Sequence, residues 1–220
     1  AGEHSTRLEA EHVAAALSND PLLIALWDPR DAPEPERVVG AFIRSRVERL
    51  AASAQSYTAT DYLEAMLGLA SRMLEHHDLG PAWTRVQDWL ERVPDAMAIM
   101  RGLVQAGDVL RLTGAPPGER IAFRHDRVRD WPLVEVCLRQ LQSGDPPAQG
   151  AAEPYFAEVV GAALARGGVA GSVVEGIARE NPLALFHALR GIGESQCETH
   201  RAVLSALQAL VEGEALHGRA

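Results

Sequence analysis

The sequence predicts a mostly α-helical protein with one short β-hairpin near its middle and solenoid-like helices after it. Three observations lead there. Apolar residues recur with a period of 3.6 almost throughout, the spacing that lines up one face of a helix. Only residues 109 to 124 change to the alternation of a strand. Beyond the Pro- and Gly-rich stretch from Gly144 to Gly150, four apolar stripes follow in succession, each too narrow to be stable alone.

The first stripe comprises Val39, Phe42, Ile43, Val47 and Leu50, and Pro33 and Pro35 mark the loop before it. The second comprises Leu63, Met66, Leu67, Ala70, Met73 and Leu74. Thr58, three residues before Asp61, forms a capping-box-like pair at its start, satisfying amides that the first turn leaves without partners. From Pro94 a helix carries Met97, Met100, Leu103 and Val104 and stops at Gly107, suited to the left-handed turn that closes helices. Val109, Leu110 and Leu112 then lead into the loop Gly114-Ala115-Pro116-Pro117-Gly118, and Ile121 alternates with Phe123 beyond it. Two strands joined by a loop are expected. The next helix has Val134, Cys137, Leu138 and Leu141 on one face and Pro132 as a kink near its start. Helix, hairpin and helix in this order resemble the second half of a winged-helix domain.

The later stripes are Phe156, Val159, Val160 and Ala163; Val173, Val174 and Ile177; Leu185, Phe186 and Leu189; and Val203, Leu204, Leu207 and Leu210. Asn181 is expected as N-cap with Pro182 at the first helical position. Glu153-Pro154 and Asn181-Pro182 open two helices at a 28-residue spacing, the pattern of paired-helix, HEAT-like repeats. The organisation read from the sequence is thus a helical region over 1–92, a winged-helix domain over 93–143 and helical repeats over 151–214.

Composition narrows the function classes. The 220 residues carry a net charge of -9, which argues against a general nucleic-acid binder, since neutralising phosphates needs a basic surface. Every one of the 21 basic residues is Arg, and the abundance of Ala, Gly and Pro points to coding bias in a GC-rich bacterial genome. No window approaches the roughly 20 apolar residues of a membrane span, and Ala1 to Thr6 are polar; a cytoplasmic protein is expected. Cys137 and Cys197 lie in helical segments and are expected to be reduced and packed.

The segment Phe123-Arg124-His125-Asp126-Arg127-Val128-Arg129-Asp130-Trp131 resembles the Met-His-Asp signature of STAND-class signalling NTPases (NACHT/NB-ARC-like), where it follows the second wing strand. Arg124 stands where the family usually has Met. A second segment, Asn19-Asp20-Pro21-Leu22-Leu23-Ile24-Ala25-Leu26, is similar to the family's Gly-x-Pro entry into the small helical lid, with Asn19 in place of the glycine. Residues 36 to 91 suit the lid, and the resemblance covers roughly residues 8 to 142. It implies that His125 reaches the β-phosphate of bound ADP, that Asp126 caps the following helix and that Pro21 packs against adenine. ATP or ADP would be the cofactor of the full-length protein. The chain has no lysine and therefore no phosphate loop, so the resemblance implies an upstream nucleotide-binding domain, no activity for this stretch alone and weak or no nucleotide binding by it. It further implies homo-oligomerisation on activation, a protein or small-molecule ligand on the helical repeats, and a role in signalling or antiviral defence.

Other readings stay open. Arg120, Arg124, Arg127 and Arg129 could make a DNA-binding winged-helix regulator, diluted by Glu119, Asp126 and Asp130; a HEAT-like scaffold without nucleotide is another. His125 could simply belong to a helix start, and Pro21 to helix initiation. The adjacent His76 and His77 point about 100 degrees apart on a helix and suit a solvated helix end rather than a metal. The tryptophans at 27, 83, 89 and 131 read as packing anchors, and no catalytic triad can be assembled.

Overall fold

The computed structural model describes residues 2–54, 56–144, 152–192 and 198–217. Among them are eleven α-helices and one two-stranded antiparallel sheet, as the periodicity predicts. The first six helices are α1 (Gly2–Ala16), α2 (Pro21–Leu26), α3 (Pro35–Ala54), α4 (Ala59–Glu75), α5 (Trp83–Leu90) and α6 (Ala96–Ala106). Strands β1 (Leu110–Thr113) and β2 (Arg120–Phe123) precede α7 (Asp126–Ser143). After a 3-10 turn at Pro154–Phe156 come α8 (Ala157–Ala165), α9 (Gly171–Glu180), α10 (Pro182–Gly191) and α11 (Glu198–His217). The predicted linker from Gly144 to Gly150, apart from Gly144 itself, and Cys197 lie outside the described residues.

The chain forms two compact units: Ala1–Ala65 with Leu90–Trp131, and Met66–Trp89 with Pro132–Ala220. In the first, α3 packs on α2 and α6, and α6 on β1. Ile43 and Val47 from the α3 stripe, Met100, Leu110 and Ile121 are fully buried. The hairpin pairs Leu110 with Phe123 and Leu112 with Ile121, so alternation carries Leu110, Ile121 and Phe123 inside. Gly107 ends α6 at φ 69°, its N–H donating to the Leu103 carbonyl. The buried face of α6 is Ala96, Ile99, Met100 and Leu103; Met97 and Val104 are only half-buried.

The Thr58–Asp61 pair is a reciprocal cap. Thr58 N–H and Oγ1–H donate to Asp61 Oδ2 at 2.7 and 2.8 Å, and Asp61 N–H donates to Thr58 Oγ1 at 3.2 Å. These bonds hold the Asp61 carboxyl below its ordinary range.

In the second unit the tightest packing joins alternate helices, α8 with α10 and α9 with α11. A methyl group on Gly161 would lie 2.6 Å from the Ala184 carbonyl and 2.8 Å from the Ala188 nitrogen, so α8 meets the backbone of α10 there. Farther along, one on Gly191 would lie 2.7 Å from Ala165 Cβ, and Asn181 Nδ2 donates to the Glu153 carbonyl at 3.0 Å. Contacts advancing together from 153–181 to 165–191 mean that α8 and α10 run in the same direction. This close approach explains why the stripe expected on α10 is displaced. The buried residues are the small Ala184 and Ala188 with Leu185, while Phe186 and Leu189 are exposed; on α11 Val203 is buried and Leu204 exposed. Asn181 occupies the cap position of α10, but its side chain makes no cap bond and ties the two helix starts together instead. Thr199 Oγ1 accepts from Val169 N–H and donates to its carbonyl, both at 2.8 Å, fastening the start of α11 to the turn before α9.

Candidate functional site

The site lies in the first unit and begins where α1 ends. Ser18 and Asn19 adopt left-handed backbone, with φ of 58° and 54°. Glycine takes this conformation without cost and Asn tolerates it better than most residues, so Asn19 supplies the geometry that a glycine would supply there. The chain then turns into α2. Asp20 is the N-cap, its carboxylate accepting from the N–H groups of Leu22 at 2.9 Å and Leu23 at 3.5 Å, and Pro21 sits at the first helical position.

The other half is the start of α7, reached directly from β2. The His125 carbonyl accepts from Arg129 N–H at 3.0 Å and its Nδ1 accepts from Arg127 N–H at 3.1 Å. His125 is therefore the cap. Asp126, expected in that role, is instead the first helical residue and pairs with Arg129 Nη1 at 3.0 Å. The reason is position: a cap must precede the first helical residue so that its side chain can accept from the amides of the first turn that follow it. With Nδ1 accepting, the neutral imidazole carries its proton on Nε2, so the outer edge of the exposed ring is a hydrogen-bond donor.

The two halves meet through Arg127, whose Nε donates to Asp20 Oδ2 at 3.3 Å across 107 residues of sequence. Partial burial pushes the Asp20 carboxyl up, but the amides of Leu22 and Leu23 and the Arg127 guanidinium together outweigh it and hold the group below its ordinary range. Pro21, His125 and Asp126 are all exposed. The tie itself was not legible in the sequence. Asp before Pro announces a cap, but nothing in either segment names a partner so far away.

The remaining candidates are structural. Arg129 spans two carboxylates, Asp126 and, at 2.8 Å, Asp130, so Arg127 and Arg129 are both engaged by acids. His76 stacks on Trp89 with ring centres 4.7 Å apart, and His77 adopts a left-handed φ of 53° beyond the end of α4, its ring edge-on to Phe156 at 6.0 Å. All four tryptophans are half-buried, and Trp131 Nε1 lies 2.8 Å from where a methyl group on Gly40 would be. Among the described residues no group of three or more His, Cys, Asp or Glu could hold a metal ion, and no helix is long and apolar enough to cross a membrane. Burial pushes the Cys137 thiol up to about 12, which keeps it protonated.

No known protein family, curated protein or solved structure matches the chain.

Proposed function

We propose that this chain is the lid, winged helix and first repeat helices of a bacterial STAND-like NTPase, working as a cytoplasmic ADP/ATP-dependent conformational switch in signalling or antiviral defence. The observation that carries the reading is the Asp20–Arg127 ion pair, since it joins the two segments on which the resemblance rests. The left-handed Asn19 and the outward Nε2–H of His125 support it further.

In this reading a preceding domain grips most of the phosphate, as the chain has no lysine for a phosphate loop. His125 donates from Nε2 to the β-phosphate of ADP, a charge-assisted bond favoured by the positive end of α7. Pro21 packs against the base, and the Asp20–Arg127 pair holds the two segments at one nucleotide. The parallel pair α8 and α10 and the pair α9 and α11 stack as successive units of a helical array, the ligand-receiving part. A ligand that binds the open state better than the closed one shifts the balance toward exchange and self-association. DNA binding through Arg127 and Arg129 is disfavoured because each guanidinium already faces a carboxylate.

The test is His125→Asn in the full-length protein. Asn is a favoured N-cap and preserves the start of α7 while removing the Nε2 donor. The expected result is an unchanged melting temperature with faster ADP release and self-association. If ADP leaves at the wild-type rate, His125 is only a cap and the reading fails.

A further inference from the structure

A cleft with an accessible volume of about 110 Å³ lies within the first unit, between the second half of α3, the end of α6 and the entry to β1. Its floor is apolar: Val47, Leu103 and Val109 are buried and Leu50 is half-buried. Arg46 and Arg49 line it as well. Arg46 is held from two sides, by Asp108 at 3.5 Å and by the Phe42 ring, whose centre is 5.0 Å from the guanidinium carbon. The guanidinium of Arg49, nearly one helical turn further along α3, has no hydrogen-bond or ion-pair partner among the described residues. Packing of the α3 stripe does not require either arginine, for Arg46 is only half-buried and Arg49 is exposed.

The geometry points to a binding site for a short aliphatic carboxylate, a ligand unconnected with the nucleotide reading because no lining residue belongs to the segments 19–26 or 123–131. An engineered cavity of about 150 Å³ accepts benzene, so this cleft takes a chain of about four or five carbons. The planar, two-pronged guanidinium of Arg49 matches a carboxylate, and the field of Arg46 adds to it. Asp108 on the same rim repels a dianion, and the apolar floor gives an inorganic anion nothing to bind. The cleft therefore selects one negative charge with a small apolar tail.

The experiment is titration of the 220-residue chain with sodium pentanoate, followed by amide shifts of Arg49, Leu50 and Val109 and by calorimetry. Saturable binding is expected with a Kd of about 1 mM, the scale for so small a ligand. Acetate should bind about tenfold more weakly or worse, having lost the methylenes that the floor buries. Arg49→Gln should weaken pentanoate about tenfold, and since Arg49 is exposed the variant should melt like the wild type. The proposal is overturned if pentanoate fails to saturate well above millimolar concentration. It is equally overturned if acetate or inorganic phosphate binds as tightly as pentanoate, or if Arg49→Gln binds it unchanged.

Discussion

Arg127 Nε lies 3.3 Å from Asp20 Oδ2, so the cap of one helix and the first turn of another, 107 residues apart in sequence, share one ion pair. Asp20 does two jobs, capping α2 and receiving Arg127, whereas Arg127 does one. Their deletions should therefore differ. Arg127→Ala is expected to cost less than about 1 kcal/mol, because a pair this exposed is screened by solvent. Asp20→Ala should cost about 1–2 kcal/mol through the lost cap. Urea unfolding of both variants and the double variant checks this, and equal losses would mean that the cap contributes nothing.

The same carboxylate predicts a pH dependence. Its pKa in the folded state is below the ordinary 3.8, so folding favours the charged form. The stability it contributes is complete above pH 3.8 and is lost as the pH falls through the lowered folded value. Asp20→Asn keeps an oxygen for the cap but loses the charge. The melting-temperature gap between wild type and Asp20→Asn should be constant near neutrality and close progressively below about pH 4. A gap that widens on acidification would reverse the assigned sign.

His125 and Asp126 should also separate on stability alone. His125→Ala removes the side-chain acceptor at the start of α7 and should destabilise by about 1 kcal/mol, or a few degrees in Tm, whereas His125→Asn should restore it. Asp126→Ala should change Tm little, since it removes only an exposed pair with Arg129. Thermal melts of the three variants decide it; a larger loss at Asp126 would return the cap to that residue.

Gly161 offers the sharpest packing test. A methyl group there meets the Ala184 carbonyl at 2.6 Å, and backbone cannot move aside as a side chain can. Gly161→Ala should thus lower stability by about 1–3 kcal/mol despite the better helix propensity of Ala. Gly176→Ala is the control: it lies in α9, where a methyl group meets nothing within 4 Å, and it should be neutral or stabilising. If Gly161→Ala matched it, α8 and α10 would not be in backbone contact.

Local order was legible in the residues themselves. The Thr58–Asp61 cap, the Gly107 stop, the 109–124 hairpin and the Pro182 helix start all depend on neighbours within a few positions, and such bonds are written in short-range spacing. The face of α10 was not. Its stripe named Leu185, Phe186 and Leu189, but of these the structure buries only Leu185, together with Ala184 and Ala188, because Gly161 on another helix lets two backbones approach and puts small side chains at the contact. Likewise the sequence named Pro21 and His125 as separate candidates, and the fold decided that Asp20 and Arg127 tie their segments together. Periodicity and caps determine which residues a helix can bury, and only the packing of elements distant in the chain decides what each buried or charged group meets.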